Sequence, residues 1–276
     1  MKIFLTGGTG FIGGHFINKA HDAGHEVVAI KRLGSKPRVI LNKEPTWIEG
    51  SLDKNYSQTL SQCDTFLHLA AFGISPQPEN WSDCFYWNVF KSTELLKQAL
   101  DSGIKKVISV GTFIEYGEAG LKYEFIPIDC DLSPAGAYAA SKTAFSVAMQ
   151  ALCKEYNVYS TYFRLFSVFG EGQNENNFFP SLKKAALSGE DFQMTKGEQI
   201  RDFISISTVV SQITEGLEFN EASLGVTNIL NIGSGNPQSI LDFAQLNWTK
   251  WGAKGRINAG SLPYRENEIM RYVAKI

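Results

Sequence analysis

The sequence has little of what marks membrane, secreted or nucleic-acid-binding proteins. It carries 26 Lys and Arg against 28 Asp and Glu, a net charge of -2, so no basic surface points to nucleic acid or to an anionic membrane. No apolar run approaches the about 18 residues that a membrane span needs. The first residues lead straight into glycines, without a basic region or a cleavage site, so we expect no signal peptide and a cytoplasmic protein.

Cysteine and histidine are scarce as well. The four cysteines are far apart and form no CxxC pair, which argues against a disulfide framework or a zinc site and again favours the cytoplasm. Four histidines provide few ligands or bases for a histidine-dependent site. We therefore expect no metal.

Strands and helices alternate along the first part of the chain. A short apolar strand over residues 2–6 stops at two glycines, residues 11–20 are apolar at helical spacing, and residues 26–30 form a second buried strand. The same alternation continues with strands over 65–69, 106–110 and 158–165 and helices over 84–100 and 134–156, the last with Ser133 as N-cap. This order predicts a doubly wound α/β fold with a parallel sheet.

The pattern changes after residue 166. Residues 170–177 are polar and loop-like, and the elements beyond them are shorter. Helices are predicted over 180–188, 207–219 and 239–251, and strands over 201–204 and 227–232. We expect residues 1–166 to form the doubly wound domain, and residues 167–276 to form a smaller part that completes a cleft against it, with some segments returning to the first domain.

A glycine-rich turn joins the first strand to the first helix. Gly7, Gly10 and Gly13 follow a GxxGxxG spacing. Such glycines permit a tight turn, let a pyrophosphate approach the backbone and let the helix pack close to the sheet, while the helix N-terminus binds the phosphates. A simple strand-to-helix turn is the alternative, but the position between strand and helix favours a dinucleotide site.

The second strand ends in Lys31 and Arg32. A site that prefers NAD usually has an acid here for the ribose 2′-hydroxyl, whereas an arginine suits a 2′-phosphate. These residues therefore predict NADP, with NAD as the alternative if both charges only face solvent.

Tyr138 and Lys142 are four residues apart on a predicted helix, so their side chains share one face. A nearby ammonium favours a phenolate and brings a tyrosine closer to proton transfer at neutral pH. A surface pair is the alternative. Thr112 follows the strand over 106–110, at the carboxyl edge of the predicted sheet where ligands bind, and is either a hydroxyl donor to a substrate oxygen or a turn residue.

Several motifs occur together in one order. They are Gly7-x-x-Gly10-x-x-Gly13, His68-Leu69-Ala70-Ala71, Asn88-Val89, Thr112, Tyr138-x-x-x-Lys142 and the run over residues 163–170. Across essentially the whole chain, this set resembles the extended short-chain dehydrogenases/reductases that act on nucleotide sugars, the NAD-dependent epimerase/dehydratase family. The resemblance implies a Rossmann sheet with a smaller C-terminal, substrate-binding α/β cap, and often a homodimer packed through the helices of residues 83–100 and 134–156.

The resemblance also implies roles. Thr112, Tyr138 and Lys142 would be the catalytic residues, with Tyr138 exchanging a proton with the sugar 4-oxygen. The implied cofactor-binding residues are Gly7, Gly10, Phe11, Ile12, Gly13, Lys31, Arg32, Ser51, Leu52, Leu69, Ala70, Ala71, Asn88, Tyr138 and Lys142. Ser51 stands where the family usually has an aspartate that contacts adenine.

Substrate-binding residues follow from the same resemblance. Asn177 and Thr112 would meet the nucleotide sugar, and Arg201 and Arg265 would bind its diphosphate through the guanidinium fork. For each arginine a surface ion pair is the alternative. The segments 196–204 and 265–270 look like those of CDP-abequose synthase and related reductases of nucleoside-diphosphate 4-keto-6-deoxyhexoses, although the chain ends at Ile276, where such proteins usually continue through another helical segment.

Three functions stay open from the sequence. The first is reduction of a nucleotide-linked 4-keto-6-deoxy sugar with NADPH. The second is a nucleotide-sugar 4-epimerase with tightly bound NAD, and the third is a catalytically silent NADP-binding regulator. A 4,6-dehydratase is set aside, because Phe113 and Ile114 replace the acid and base that elimination of water needs.

Overall fold

The structure, a computed structural model, describes residues 1–74, 80–218, 223–266 and 268–276. Its strands are β1 Lys2–Thr6, β2 Glu26–Lys31, β3 Thr46–Glu49, β4 Thr65–His68, β5 Lys106–Thr112, β6 Tyr159–Leu165, β7 Ser167–Phe169, β8 Phe192–Met194, β9 Ile200–Ser205, β10 Thr227–Ile232, β11 Pro237–Ser239, β12 Ile257–Ala259 and β13 Arg271–Tyr272. Its helices are α1 Phe11–Asp22, α2 Ser57–Leu60, α3 Trp81–Cys84, α4 Ser92–Asp101, α5 Gly117–Gly120, α6 Ala137–Glu155, α7 Phe178–Ser188, α8 Ile206–Gly216 and α9 Ile240–Lys250. A π-helical segment, Phe85–Lys91, joins α3 to α4, and a 3₁₀ helix, Phe113–Tyr116, follows β5.

The larger sheet confirms the predicted doubly wound α/β fold. Within the described residues it has seven strands in the order β10-β6-β5-β4-β1-β2-β3, and every pair is parallel. The chain runs outward from β1 to β3 and then crosses back to β4 on the other side of β1. Ligands of such sheets bind beyond the carboxyl ends of the strands at this reversal point, here between β1 and β4.

Helices cover both faces of this sheet. In β1, Ile3 and Leu5 point to one hydrophobic core, which α1 and α8 complete, and Phe4 points to the other, which α4 and α6 complete. These three side chains are fully buried, and each such burial contributes about 1.5–3 kcal/mol to stability. Because both faces are covered, the middle residues of β1 and β2 are continuously apolar rather than alternating.

The smaller part packs around aromatic side chains. Strands β7, β9, β11 and β13 form its main sheet, β8 pairs with β12, and α7 packs against α9. The rings of Phe203 and Phe243 stack with centroids 3.8 Å apart. Strand β10 and helix α8 return to the larger domain, where β10 pairs with β6. The boundary at residue 166 stays a prediction.

Two predicted helix starts are wrong. The helix expected at residue 134 begins at Ala137, with Gly136 at φ +83° as its N-cap in place of Ser133. The Ser133 carbonyl instead accepts the Glu118 amide at 3.3 Å. The helix expected at residue 84 begins at Trp81, where the Asn80 side chain accepts the Asp83 amide at 2.8 Å.

Of the remaining predicted elements, β1 and β10 have the expected bounds, and the others shift at one or both ends by one to three residues. The expected end of the helix over 207–219, Phe219, lies outside the described residues. Among the helices of the described residues, none is both long and apolar enough to cross a bilayer.

Candidate active site at the reversal point of the sheet

The backbone of the turn after β1 forms a cradle, because glycines stand where a side chain would fill the space. Gly7 has φ +75°, and its carbonyl accepts the Gly10 amide at 2.9 Å. A Cβ at Gly7 would lie 2.7 Å from the Ala70 nitrogen, and one at Gly13 would lie 2.2 Å from the Gly7 oxygen. Helix α1 begins at Phe11, and its N-cap residue, Gly10, has no side chain to accept a hydrogen bond from the helix. The first amides of α1 are therefore available to an anion. The cradle fits the pyrophosphate of a dinucleotide.

The end of β4 is fastened to the end of β1. The Thr6 hydroxyl hydrogen-bonds His68 Nδ1 at 2.8 Å and accepts the Ala70 amide at 3.1 Å. These bonds place the predicted run from Leu69 to Ala71 against the glycine cradle. Burial lowers the pKa of His68 to about 3, helped by the charge of Lys142, so the imidazole is neutral.

Asn88 lies in the π-helical segment and is buried. Its Oδ1 accepts the Phe72 amide at 2.7 Å, and its Nδ2 donates to the Phe72 carbonyl at 2.9 Å and to Ser141 Oγ at 2.9 Å. Ser141 Oγ in turn donates to the Tyr138 carbonyl at 2.8 Å. Asn88 therefore joins the loop after β4 to the helix that carries Tyr138.

The basic end of β2 borders the same cradle. Lys31 Nζ lies 5.3 Å from the centre of the Trp47 ring, and Arg32 is exposed. The loop that follows bends back, because the Arg38 amide donates to the Thr9 carbonyl at 3.2 Å.

The segment after β3 contains Ser51 and Leu52, two of the predicted cofactor-binding residues. The Ser51 hydroxyl donates to Asp53, and the Tyr56 hydroxyl donates to the Ser51 carbonyl at 2.9 Å. Leu52 is partly buried against the core that α4 and α6 complete.

Thr112 ends β5 and begins the 3₁₀ helix. Its Oγ1 accepts the Ile114 amide at 3.5 Å, and its own amide donates to Glu115 Oε1 at 2.8 Å, which makes a reciprocal cap. This cap directs the chain sharply away from the sheet and leaves Thr112 at its carboxyl edge.

Helix α6 packs against β5 and the 3₁₀ helix. It carries Lys142, which is 2% exposed, and Tyr138 one turn earlier, which is half-buried. Burial lowers the pKa of Lys142 to about 8, while the carboxylate of Glu115 opposes that shift. The structure thus brings Thr112, Tyr138 and Lys142 to elements that meet at one end of the sheet.

Glu115 is a site residue that the sequence analysis missed. It is fully buried and pairs with Arg164 at 3.2 Å, with Arg164 itself nearly inaccessible. The signal was present, since Glu115 follows Thr112 at the N3 spacing of a capping box.

Apart from Thr112, which ends β5, the predicted substrate-binding residues lie on the smaller part. Asn177 is the N-cap of α7 and is partly exposed, and Arg265 is exposed. Arg201 donates to Glu268 Oε1 at 3.2 Å and to the Ile269 carbonyl at 2.7 Å, and burial lowers the pKa of its guanidinium. The ion-pair alternative for Arg201 is therefore present, and a phosphate role for any of these residues stays a prediction.

Comparison with known families decides the class of protein. The NAD dependent epimerase/dehydratase family matches residues 3–233. The chain belongs to this family. The resemblance seen in the motifs is thereby confirmed, and the glycine cradle stays the predicted dinucleotide site.

Three similar proteins each share about a quarter of their residues with this chain. The chain is 26% identical to UDP-glucose 4-epimerase of Corynebacterium glutamicum, with 89% of this chain and 79% of that protein covered. It is 26% identical to CDP-abequose synthase of Salmonella muenchen, with 98% and 87% covered. The structure of UDP-N-acetylglucosamine 4-epimerase from Methanobrevibacter ruminantium M1 has a TM-score of 0.87 and 25% identity, with 100% of this chain and 89% of that chain covered.

No group of three His, Cys, Asp or Glu side chains suited to a metal ion is found among the residues that the structure describes.

Proposed function

We propose that this protein is an NAD(P)-dependent oxidoreductase of nucleotide sugars, and that it reduces the 4-ketone of a nucleoside-diphosphate 4-keto-6-deoxyhexose. One observation carries the proposal. A fully buried lysine, Lys142, lies one helical turn after Tyr138, on a helix packed against the turn of Thr112. Burying an ammonium costs free energy, and a proton-transfer site gives a reason to keep it there.

Each of the three side chains has one task in this proposal. The Thr112 hydroxyl orients the ketone oxygen, and Tyr138 gives that oxygen its proton. The ammonium of Lys142 stabilises the phenolate left behind and holds the nicotinamide ribose. The reduced dinucleotide supplies the hydride when bound, so hydride and proton together convert the ketone to an alcohol.

Reduction is favoured over dehydration by the two residues after Thr112. Phe113 stacks on Phe166 at 5.4 Å and meets Tyr272 edge-on at 5.1 Å, so its ring belongs to an apolar cluster. Ile114 has no titratable group either. Elimination of water needs an acid and a base at these two positions, and neither Phe113 nor Ile114 can serve as one.

NADPH is the proposed cofactor because β2 ends in cations. If Arg32 binds the 2′-phosphate, Arg32→Ala will raise the Kd of NADPH at least about tenfold and leave that of NADH unchanged, as expected for loss of a charge-assisted contact. Lys36→Ala, which removes an exposed cation from the same loop, is the matched control. Fluorescence titration of the wild type and both variants with each dinucleotide measures the six dissociation constants. An equal increase in the Kd of NADPH and of NADH in Arg32→Ala would argue for NAD as the cofactor.

A 4-epimerase with tightly bound NAD is the second candidate. It is supported by the epimerase of Corynebacterium glutamicum, which is as similar in sequence as CDP-abequose synthase. A catalytically silent NADP-binding regulator is the third, and the intact set of Thr112, Tyr138 and Lys142 argues against it.

The deciding experiment follows NADPH absorbance at 340 nm with freshly made 4-keto-6-deoxy sugars linked to dTDP, CDP or GDP. We expect consumption with one nucleotide, lost in Tyr138→Phe. Tyr156→Phe is the control at the end of the same helix, where the hydroxyl donates to Asp101 at 2.5 Å. No consumption, with NAD released on denaturation and turnover without added cofactor, would favour the epimerase. Unchanged biological effect of Tyr138→Phe would favour the regulator.

A homodimer is part of the proposal. The helix around the π-helical segment exposes large aromatic side chains, with Trp81 60%, Tyr86 44% and Phe90 53% accessible. Exposed apolar patches of this kind mark interaction surfaces. We propose that the same helical surface of a second copy of this chain covers these aromatic side chains in a symmetric dimer. Light scattering should give about twice the chain mass of 30.6 kDa, and Phe90→Lys should reduce it to the monomer. A monomeric wild type would contradict this part.

A further inference from the structure

Beneath the turn of Thr112 lies a carboxylate that the proposed reaction does not use. Glu115 has no accessible surface. Its Oε1 accepts the Thr112 amide at 2.8 Å and the Tyr162 hydroxyl at 2.9 Å, and its Oε2 accepts Arg164 Nε at 3.2 Å. A buried carboxylate needs such partners, and one of these three is the backbone of a proposed catalytic residue.

Gly111 makes room for this arrangement. A Cβ at Gly111 would lie 2.1 Å from Glu115 Oε1 and 2.3 Å from the Tyr162 hydroxyl. Because its backbone is not in the left-handed region, glycine is required here for space rather than for conformation. Gly111 and the carboxylate of Glu115 thus form one structural unit at the end of β5.

Arg164 extends the unit toward the segment that precedes α6. Its Nη1 donates to the Tyr116 hydroxyl and to the Ile128 carbonyl, both at 3.3 Å. The Tyr116 hydroxyl donates to Asn231 Oδ1 at 2.6 Å. A buried ion pair is weak support for stability, because desolvation offsets much of its attraction, so its presence beside a reactive centre points to a role in positioning.

We propose that Glu115 is a positioning residue of this active site, whose carboxylate fixes the turn that presents Thr112 and provides the negative charge that faces Lys142. The inference rests on the proposed function for the roles of Thr112 and Lys142. It assigns to Glu115 a task that neither residue can perform, since neither supplies a fixed negative charge.

The charges around Lys142 support the second half of this task. His68, on β4, is close enough to Lys142 for the two charges to interact, and it is neutral. Tyr138 lies on the same helix as Lys142, and Arg164, on β6, is paired with the carboxylate of Glu115. The Tyr162 hydroxyl lies 2.9 Å from Glu115 Oε1 and 3.2 Å from the Lys142 carbonyl, so the carboxylate lies beside this turn of α6. Its charge raises the pKa of Lys142 against the effect of burial. Without this charge the ammonium would be lost at a lower pH.

The test replaces the carboxylate by its neutral isostere. Glu115→Gln keeps an oxygen for the Thr112 amide but removes the charge, and Glu118→Gln, at an exposed glutamate three residues later, is the matched control. Carbon-13 NMR of lysine-labelled protein follows the ε-carbon of Lys142, assigned by its loss in Lys142→Arg. We expect Glu115→Gln to lower the pKa of Lys142 by at least about half a pH unit. The same pKa in the wild type and both variants would overturn the proposal.

A second variant separates charge from position. Glu115→Asp keeps the charge but withdraws it from Thr112, so we expect kcat to fall at least about tenfold with KM changed less than about threefold, and the pKa of Lys142 to stay close to that of the wild type. If Glu115→Gln does not fold, this variant decides, and a kcat within twofold of the wild type would overturn the proposal.

The titration needs no substrate, which keeps the two proposals distinguishable. If the wild type turns over no nucleotide sugar, the proposed function fails while the titration still decides the role of Glu115. If turnover is seen, the alkaline limb of the kcat profile should move in Glu115→Gln in the direction of the NMR shift. An unmoved limb would contradict a role for this charge in the reaction.

Discussion

Three glycines around the site leave no room for a Cβ atom, and each is constrained by a different neighbour. The backbone of the loop after β4 lies where a Cβ of Gly7 would be, and the carbonyl of Gly7 lies where a Cβ of Gly13 would be. The carboxylate of Glu115 lies where a Cβ of Gly111 would be. In each case a methyl group would overlap an atom that cannot move freely. The site is therefore shaped as much by missing Cβ atoms as by the side chains that face it.

The close approach at Gly7 can be separated from its backbone conformation. Gly24 has φ +78°, close to the +75° of Gly7, but a Cβ there would have no neighbour within 4 Å. Both Gly→Ala changes should cost about 1 kcal/mol from the left-handed backbone. Only Gly7→Ala should also weaken dinucleotide binding, by at least about tenfold. Calorimetric titration and thermal melting measure the two effects, and equal affinities would show that the cradle does not bind the cofactor.

At this scale the sequence predicts some site residues and misses others. Tyr138 and Lys142 are found because they lie four residues apart and their geometry depends on one helix. Glu115 is missed because its partners Tyr162 and Arg164 lie 47 and 49 residues away, and no local pattern predicts burial of a glutamate. Arg201 is recognised, but its pairing with Glu268 depends on the fold of the smaller part.

At the scale of elements, long apolar segments are predicted well and short ones are not. Strands β1 and β10 have the expected bounds, because each combines aliphatic or aromatic residues with β-branched ones and ends directly before a glycine, Gly7 or Gly233. Strands β7, β8, β11, β12 and β13 have two or three residues each, and their pairing is set by distant segments. The π-helical segment cannot be predicted from the sequence either, because α-helical and π-helical hydrogen bonding give similar patterns of apolar residues over so short a segment.

This π-helical segment supports the loop after β4 through Asn88. Asn88→Ala would leave the partly buried amide and carbonyl of Phe72 without this partner and remove one of the two hydrogen bonds of the Ser141 hydroxyl, where a fully buried group left unpaired costs about 1–3 kcal/mol. Hydrogen exchange should speed up at residues 69–74 and remain slow in β4. Thermal melting should show a loss of several degrees.

Asn80→Ala is the control for this prediction. It removes an asparagine that caps α3, at an exposed position of the same helical region. It should destabilise the helix start without changing exchange at Phe72. Equal exchange at residues 69–74 in both variants would show that Asn88 does not support this loop.

At the scale of the whole molecule, the site collects groups from one edge of the sheet. The glycine cradle follows β1, the Leu69 run follows β4, and the Thr112 turn follows β5, which are neighbours in the sheet. Right-handed crossovers of an alternating chain make this arrangement predictable from the sequence. The position of the smaller part is not predictable in this way, because it depends on the side chains that it buries.

Neutral His68 couples the stability of the whole molecule to pH. Its pKa is about 3 in the folded protein and near 6.5 when unfolded, so between these values the unfolded state binds a proton that the folded state does not. Stability should therefore fall as the pH falls below 6.5, by up to about 1.4 kcal/mol per pH unit from this group.

Thermal melting between pH 7 and pH 5 measures this linkage. His68→Gln should reduce the drop in Tm across that range, whatever its effect at pH 7. His15→Gln, which removes a histidine near the surface that hydrogen-bonds the Glu171 carbonyl at 2.8 Å, is the control. Parallel drops in the wild type and His68→Gln would assign the acid sensitivity to other groups.

The placement of β1 at the centre of the sheet has a consequence for biosynthesis. The parts that shape the cradle, from Gly7 to Ala70, lie in the first quarter of the chain, whereas Thr112, Tyr138 and Lys142 leave the ribosome seconds later at about 5–20 residues per second. A dinucleotide that binds the early part would favour its folded form by mass action. Cofactor supply during translation would then influence how much of this protein a cell obtains in folded form.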